Sequence, residues 1–294
     1  MHWRLARTSC ALATVFLQRR TIKYEMENKY HVWQRGFLPV NEQRIEPLRH
    51  WYQTDSYENY LRNGNREYGP EDITYQFNQS GYRSKEFSEI DHTAFKVLVI
   101  GCSNTLGLGL PLNETYGEQL RQRLLVRYDL LVEIINLGLG GRSIDYVARC
   151  LYQSVPILRP HYVFCLLPAF SRREYFSGNR QLHYIADWEV PGWQNHRDAL
   201  LTLSNDQWDF YSFVKNLAFI ELILRDHHWA WATWQHYDFD VSYFDVAHYR
   251  TQYMLQAERG KARDNIHSGA AYHRFVADDL LSDPNLVTAI AQYR

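Results

Sequence analysis

The sequence predicts a three-layer α/β/α protein in which helices cover both faces of a central parallel sheet of about five strands. Short apolar runs with the length of a buried strand alternate with helical patterns four or five times within residues 93–294. The first of these runs is apolar on both faces, as in strands that helices cover on each side. Because crossovers in such folds are right-handed, the carboxyl ends of the strands share one edge, where ligands bind.

The composition is that of a globular protein and excludes several functional classes. Of the 294 residues, 46% are hydrophobic and 22% are charged, which disfavours global disorder. The 32 Lys+Arg and 33 Asp+Glu leave a net charge of -1, whereas nucleic acids and anionic membranes attract a surface of one sign. No apolar stretch reaches 18 residues, so no transmembrane helix is expected. The four cysteines form no CxxC pair, which disfavours a zinc site of that type and a disulfide scaffold.

Residues 1–24 form a basic segment whose role the sequence leaves open. The segment has no acidic residue before Glu25, and a short apolar run at 10–17 lies in its middle. The triplet at 18–20, Gln-Arg-Arg, is a poor cleavage site for a secretory signal, while a transit peptide, a surface helix and an upstream extension of the reading frame all fit. This favours a cytoplasmic over a secreted location and leaves the compartment unsettled.

Residues 25–92 are predicted to be an irregular, aromatic-rich lead-in that packs on the α/β domain. A turn signal from Asn78 to Gly81 lies between aromatic residues and predicts one or two short strands.

The first strand of the main domain is predicted at 96–101, and a glycine-rich loop follows it. Thr115 and Glu118 have the spacing of a capping box, which predicts a helix that runs to about Tyr128. A second strand is predicted at 130–137, followed by another glycine-rich loop.

Ser143 is predicted to cap a helix over 144–158, and Pro160 separates this helix from a third strand at 162–167. The loop at 168–205 is too long for a simple connection, so we expect it to hold small elements or to carry substrate specificity. The remaining predictions are a helix at 206–227, strands at 229–234 and 241–246, and a terminal helix at 270–280.

Reactive side chains follow these strands. Ser103 lies after the first strand, glycine amides around Gly141 follow the second, and Asp264 and His267 come late in the chain. A hydroxyl, an imidazole, a carboxylate and loop amides are the groups that acyl transfer needs. Each alone has a simpler interpretation: a helix-capping serine, a surface histidine with a loop acceptor, and glycines for turn geometry.

Two other kinds of site are disfavoured. The second glycine-rich loop precedes a helix as a phosphate cradle would, but Ser143 replaces the third glycine of the dinucleotide fingerprint and no Walker lysine follows. The histidines and aspartates crowded into 226–248 lack an HExxH motif or the spacing of a ligand set. We therefore expect neither a metal nor an organic cofactor, and a nucleotide-binding enzyme is the less favoured alternative.

Three motifs in family order resemble blocks I, II and V of the SGNH (GDSL-type) hydrolases: Gly101-x-Ser103-x-Thr105-x-Gly107, Asn136-x-Gly138-x-x-Gly141-x-Ser143 and Asp264-x-x-His267. The segment 77–83 is also similar to the one that precedes block I in many members, and the resemblance covers roughly 73–280. It implies a flavodoxin-like strand order and an ester hydrolase acting on a small-molecule, carbohydrate or lipid ester. The oligomeric state is left open.

The resemblance also implies the role of each residue. Ser103 would be the nucleophile, His267 would take and return its proton, and Asp264 would orient the imidazole. The backbone amides of Ser103 and Gly141 would donate into the oxyanion hole.

The sequence departs from the family pattern at block III, where an asparagine usually supplies a further oxyanion donor. Phe170 aligns with that asparagine, and the loss of one such donor typically costs about 2.7–4 kcal/mol in the transition state. Asn104, Arg172 and Arg173 are the candidates to replace it, although a solvated arginine pair or a partner for Glu174 is the simpler interpretation of the last two. The departure keeps a second hypothesis open, a non-catalytic protein that binds a glycan or a partner on the same scaffold. Cys102 also stands where the block I motif usually has Asp.

Overall fold

The computed structural model describes residues 47–177, 180–184, 205–234, 248–252 and 260–294. The basic segment 1–24, the predicted strand at 241–246 and most of the loop 168–205 lie outside these residues. Among the described residues, no helix has both the length and the apolar character that crossing a membrane requires.

The described elements, in chain order, are β1 Leu48–Arg49, α1 Tyr57–Asn63, β2 Tyr75–Gln76, β3 Phe95–Gly101, α2 Ser103–Leu106, α3 Tyr116–Tyr128, β4 Val132–Asn136, α4 Ile144–Leu158, β5 Tyr162–Leu167, β6 Arg173–Ser177, β7 Arg180–Tyr184, α5 Asp206–Leu224, β8 His228–Thr233, β9 Tyr249–Gln252, α6 Ala270–Leu281 and α7 Pro284–Tyr293. Short 3-10 turns lie at Phe87–Glu89 and Leu112–Glu114.

The central sheet has five parallel strands in the order β4-β3-β5-β8-β9. Numbered along the chain within this sheet, the order is 2-1-3-4-5, which is the flavodoxin-like order that the resemblance implies. The predicted fold class is therefore confirmed. The fifth strand is β9, which lies C-terminal to the predicted strand at 241–246. β3 lies between β4 and β5, so the loops that follow these three strands are neighbours at one edge of the sheet.

Two hydrophobic clusters, one on each face of the sheet, form the core. Leu98 and Ile100 of β3 pack with residues of α4 and α5, whereas Val97 and Val99 pack with residues of α3, α6 and α7. Successive side chains of a strand point to opposite faces, so an all-apolar strand supplies both clusters. This is the physical reason for the uninterrupted apolar pattern of β3 and β5, both of which are buried throughout.

The two predicted helix starts differ in their capping. The hydroxyl of Ser143 accepts a hydrogen bond from the backbone amide of Tyr146 at 3.4 Å, so it caps α4 as predicted. Helix α3 also begins after Thr115, but the predicted capping box is wrong. The Thr115 hydroxyl instead donates to the Leu112 carbonyl oxygen at 2.7 Å, because the preceding 3-10 turn offers an acceptor.

The sequence pattern does not predict β6, β7, α7 or the short helix α1 of the lead-in. β6 and β7 form an antiparallel hairpin inside the loop 168–205, where the alternation is too short to be recognised. Helix α7 follows α6 directly, and its signal was available: Asp283 caps it by accepting from the Asn285 amide at 3.2 Å, and Pro284 occupies its first position.

The described part of the lead-in packs around the loop that follows β3. Its aromatic side chains Tyr52, Tyr75 and Phe77 form a third buried cluster with Leu106 and Leu108. Buried carbonyl groups need hydrogen-bond donors, and some carbonyl groups of the loop after β3 accept from a side chain instead of the backbone.

Arg83 of the lead-in supplies those donors. It is fully buried and donates to the carbonyl oxygens of Gly107 at 2.7 Å and Leu110 at 2.9 Å. Burial lowers the pKa of Arg83 to about 10, so the guanidinium remains charged at neutral pH. The lead-in thus holds the loop that carries Ser103.

Candidate active site

Ser103 is the first residue of α2, two residues beyond the end of β3. It is 7% exposed, so its hydroxyl lies in a recess at the carboxyl edge of the sheet. Helix α2 ends after one turn at Gly107, whose φ of 73° is readily adopted only by glycine. The short helix turns the chain back at once and leaves the serine beside the loops that follow the neighbouring strands.

Ser103, His267 and Asp264 form one chain of hydrogen bonds. His267 Nε2 lies 2.8 Å from Ser103 Oγ, and His267 Nδ1 lies 2.6 Å from Asp264 Oδ2. Ser103 and His267 are 164 residues apart, so the fold brings together groups that the sequence only places in order. This is the arrangement in which an imidazole can take a proton from a hydroxyl while a carboxylate holds its other nitrogen.

Asp264 is buried, and four hydrogen bonds satisfy its carboxylate. Oδ1 accepts from the backbone amides of Ile266 and His267, both at 3.0 Å, and Oδ2 accepts from the His267 ring and from the Thr54 hydroxyl at 2.8 Å. Burial alone would raise the pKa of Asp264, but the hydrogen bonds from His267 and the loop amides outweigh it and lower the pKa below its ordinary value. The carboxylate is therefore ionised at neutral pH.

The loop that carries both residues closes on itself. The Ala262 amide donates to the His267 carbonyl oxygen at 3.0 Å, and Lys261 and Ser268 form an isolated β-bridge. Asn265 adopts the left-handed conformation with φ 57°, which asparagine tolerates better than most residues. This tight loop is the reason that residues three apart can meet through their side chains.

The loop after β4 is held directly against α2. Asn136 Nδ2 donates to the Thr105 carbonyl oxygen at 2.8 Å, and Asn136 Oδ1 accepts from the Gly138 amide at 2.8 Å. A side chain at Gly138 would place its Cβ 2.5 Å from the Leu106 backbone nitrogen, so only glycine fits. Since the Gly138 amide is already bonded, it is not free to cradle a phosphate.

Ser103 and His267 open onto a cavity of about 180 Å³. Its wall contains three of the other predicted site residues, Gly141, Asn104 and Arg172, and side chains that were not predicted: Gln53, Leu108, Trp234 and Ile266. Two larger depressions, of about 510 and 680 Å³, contain none of the predicted site residues, so the chemistry rather than the volume identifies the site.

Unpaired polar groups surround this cavity. The backbone amides of Ser103 and Gly141 donate to no acceptor within the described part of the chain. Asn104 is 2% exposed, and its Oδ1 has no hydrogen-bond partner there either. Buried polar groups are nearly always paired in folded proteins, and these groups are available to a molecule that enters the cavity. Phe170 is not among the cavity-lining residues and instead packs against the core on the side of α4 and α5.

Arg172 and Arg173 are separated by the structure. Arg172 lines the cavity, whereas Arg173 is buried beside α5, where its Nη2 lies 2.5 Å from Asp209 Oδ1. A solvated pair is therefore wrong for Arg173, which is only 4% exposed. Arg149 donates two hydrogen bonds of 2.8 Å to Glu174. The structure does not bring Arg173 to the cavity.

Thr54 and Gln53 belong to the site although no sequence motif marked them. Both lie in the lead-in, and Thr54 precedes Asp264 by 210 residues. They also lie outside residues 73–280, which the family resemblance covers, so neither pattern nor resemblance points to them. Among the described residues, no group of three or more His, Cys, Asp or Glu side chains is placed to hold a metal ion.

No family model matches the sequence. No curated protein matches it either. Similar solved structures include a family 3 carbohydrate esterase of Clostridium thermocellum, which is 14% identical with a TM-score of 0.44 and covers 68% of this chain and 99% of that one. Another is the psychrotrophic esterase EstA of Pseudoalteromonas sp., 13% identical, with a TM-score of 0.43 and coverages of 66% and 98%. A third is a member of the lipolytic protein G-D-S-L family from Veillonella parvula, 12% identical, with a TM-score of 0.37 and coverages of 63% and 96%.

Proposed function

We propose that the protein is a serine-dependent ester hydrolase of the SGNH (GDSL-type) family. Ser103 is the nucleophile, His267 is the general base and Asp264 orients the imidazole. The observation that carries this proposal is the unbroken hydrogen-bond chain from Asp264 through His267 to Ser103, with separations of 2.6 and 2.8 Å. It stands on the side chains of this protein, independently of the similar structures.

The reaction follows from the arrangement of protons. His267 Nε2 takes the proton of the Ser103 hydroxyl as Oγ attacks the carbonyl carbon of the ester. The resulting imidazolium is stabilised by the ionised carboxylate of Asp264 at Nδ1. When the tetrahedral intermediate collapses, the carbon–oxygen bond to the alcohol breaks and His267 gives its proton to that oxygen. Water, deprotonated by His267, then releases the acid from Ser103 by the same steps in reverse.

The negative oxygen of the intermediate needs donors that are already in place. The backbone amides of Ser103 and Gly141 are candidates, because neither has an acceptor in the described residues. Asn104 is the candidate for the donor that block III usually supplies, since its buried amide side chain lines the same cavity. Arg172 also lines the cavity, and we assign it to substrate binding.

The residues that line the cavity disfavour the alternative of a non-catalytic binding protein. It would gain weight if Phe170 filled the oxyanion corner and no Asn or Arg reached it. Asn104 and Arg172 line the cavity, and Phe170 does not.

A fluorophosphonate probe tests the proposal, because it reacts covalently only with an activated serine. We expect labelling at Ser103, mapped by mass spectrometry, and its loss in both Ser103→Ala and His267→Ala. Hydrolysis of a panel of activated and sugar acetate esters should fall by several orders of magnitude in the same variants. Ser154→Ala is the matched control, because this fully buried serine on α4 donates to the Cys150 carbonyl oxygen and does not line the cavity. Full esterase activity in Ser103→Ala would overturn the proposal.

A further inference from the structure

A turn of the lead-in reaches into the candidate active site. Tyr52 and Asp55 exchange two backbone hydrogen bonds, of 2.8 and 3.1 Å, and Gln53 between them has a left-handed φ of 53°. Thr54, at the tip of this turn, donates its hydroxyl to Asp264 Oδ2 at 2.8 Å. A left-handed residue other than glycine costs free energy, and such residues cluster where a site requires them.

The neighbours of Thr54 hold the turn against the loop that carries Asp264. Arg263 donates two hydrogen bonds, of 2.9 and 2.7 Å, to the carboxylate of Asp55, and both side chains are fully buried. Asn59 Nδ2 donates to the carbonyl oxygens of Thr54 at 3.0 Å and of Asp264 at 2.9 Å. The backbone on both sides of the Thr54–Asp264 hydrogen bond is therefore tied together, and the separation of the two side chains is set.

The same turn shapes the cavity. Gln53 lines its wall, and its side chain lies so close to Gly140 that a Cβ at that position would collide with it. The absence of a side chain at Gly140 therefore leaves room for Gln53 of the lead-in. The lead-in contacts the site both through this packing and through the Thr54–Asp264 hydrogen bond.

An ionised carboxylate can only accept, so the Thr54 hydroxyl must donate to it. Together with the two loop amides and the His267 ring, this donor completes four hydrogen bonds to Asp264 and leaves the carboxylate one orientation. The imidazole of His267 follows that orientation through Nδ1.

We propose that Thr54 is a positioning residue of the active site, which holds the Asp264 carboxylate so that His267 faces Ser103. The lead-in is thereby part of the catalytic apparatus and not only a cover on the domain. This inference rests on the proposed hydrolase function for its kinetic consequence and on the geometry alone for the hydrogen bond.

Three variants of the full chain test it. Thr54→Val keeps the shape and removes the hydroxyl, and Thr54→Ser keeps the hydroxyl. Ser56→Ala is the matched control, because it removes a neighbouring hydroxyl that caps α1 by accepting from the Asn59 amide at 3.1 Å and does not touch Asp264. The readouts are kcat and KM on an activated ester, thermal stability, and the proton resonance of His267 Nδ1–H in the NMR spectrum.

We expect Thr54→Val to lower kcat about 10- to 100-fold with little change in KM, the effect of losing a hydrogen bond to a charged group. The His267 Nδ1–H resonance should shift in Thr54→Val and return in Thr54→Ser, along with most of the activity. Ser56→Ala should lower the melting temperature and leave kcat and the resonance as they are.

Wild-type kcat and an unmoved His267 resonance in Thr54→Val would overturn the inference. So would an equal loss of activity in Ser56→Ala, because the effect would then come from the stability of the lead-in. Failure of the proposed function has a different signature, an esterase activity that survives Ser103→Ala. The resonance in Thr54→Val still decides the role of Thr54 in that case, since it needs no substrate.

Discussion

Asn136 connects α2 to the loop after β4, donating to the Thr105 carbonyl oxygen and accepting from the Gly138 amide, both at 2.8 Å. It stands at the end of β4, and its two partners are a backbone carbonyl of α2 and a backbone amide of the loop after β4. A single amide side chain therefore sets the distance between the helix of Ser103 and the loop of Gly141.

Asn136→Ala is expected to lower both stability and activity. The variant leaves a buried carbonyl oxygen and a buried amide without partners, which costs about 2–4 kcal/mol in the free energy of unfolding. Because the distance between α2 and the loop after β4 is then no longer fixed, kcat should fall at temperatures where the variant remains folded. Urea unfolding and ester hydrolysis measure the two effects.

Asn216→Ala is the matched control for Asn136→Ala. Asn216 is a buried asparagine on α5 that bonds to Asp145 at 2.7 Å and to the Ser212 carbonyl oxygen at 2.9 Å. It should lose comparable stability and keep kcat. Equal kcat losses in the two variants would show that Asn136 has no special relation to the site.

Asp264→Asn should retain the fold and lose activity by a factor of about 10⁴, the effect of such a change in serine triads of this type. The amide oxygen can still accept from the Ile266 and His267 amides, so the loop stays closed. The amide nitrogen then donates to His267 Nδ1, which places the remaining ring proton on Nε2, facing Ser103. The wrong tautomer cannot take the serine proton. Circular dichroism and kcat/KM check the two halves of this prediction, and a stable variant with wild-type activity would contradict it.

The adjacent residues Arg172 and Arg173 should respond in opposite ways. Arg172→Ala removes a side chain from the cavity wall and should lower kcat/KM about tenfold with little change in stability. Arg173→Met breaks the buried ion pair with Asp209 and should cost about 3 kcal/mol of stability. Its kcat should be unchanged at temperatures where it is folded. Denaturant unfolding and kinetics on both variants make the comparison, and a kinetic defect confined to Arg173→Met would reverse the assignment.

His273 should make stability depend on pH. Burial, with lesser effects of His267 and Arg83, lowers the pKa of His273 to about 3, and its Nδ1 accepts from the Tyr116 amide at 3.0 Å. Below pH 6.5 the unfolded chain binds a proton at this residue that the folded chain does not. The stabilisation from a neutral His273 is therefore complete above pH 6.5 and is lost as the pH falls towards 3.

The matched variant is His273→Asn, which retains an acceptor for the Tyr116 amide and does not titrate. The free energy of unfolding of the wild type should fall with decreasing pH more steeply than that of the variant, by up to about 1.4 kcal/mol per pH unit. Urea unfolding at several values between pH 7 and pH 4 measures the difference. Parallel curves would mean that His273 is protonated in the folded state.

The sequence by itself determined four of the five strands of the central sheet, β3, β4, β5 and β8, and the order of its reactive groups. β3 and β5 are apolar on both faces because helices cover both faces, and that requirement is local and visible in each run. Ser103, Gly141, Asp264 and His267 follow strands or sit in a compact loop, and parallel strands bring their carboxyl ends to one edge. A local pattern was therefore enough to name them.

Only the tertiary structure decided what surrounds them. Thr54 reaches Asp264 across 210 residues, and neither side chain carries a periodicity that predicts the contact. Arg172 and Arg173 are equivalent in sequence, yet one lines the cavity and the other pairs with Asp209, because the chain enters β6 between them and turns successive side chains to opposite sides. Pairings of this kind depend on which surfaces the fold brings together, and residue type and spacing along the chain do not encode that.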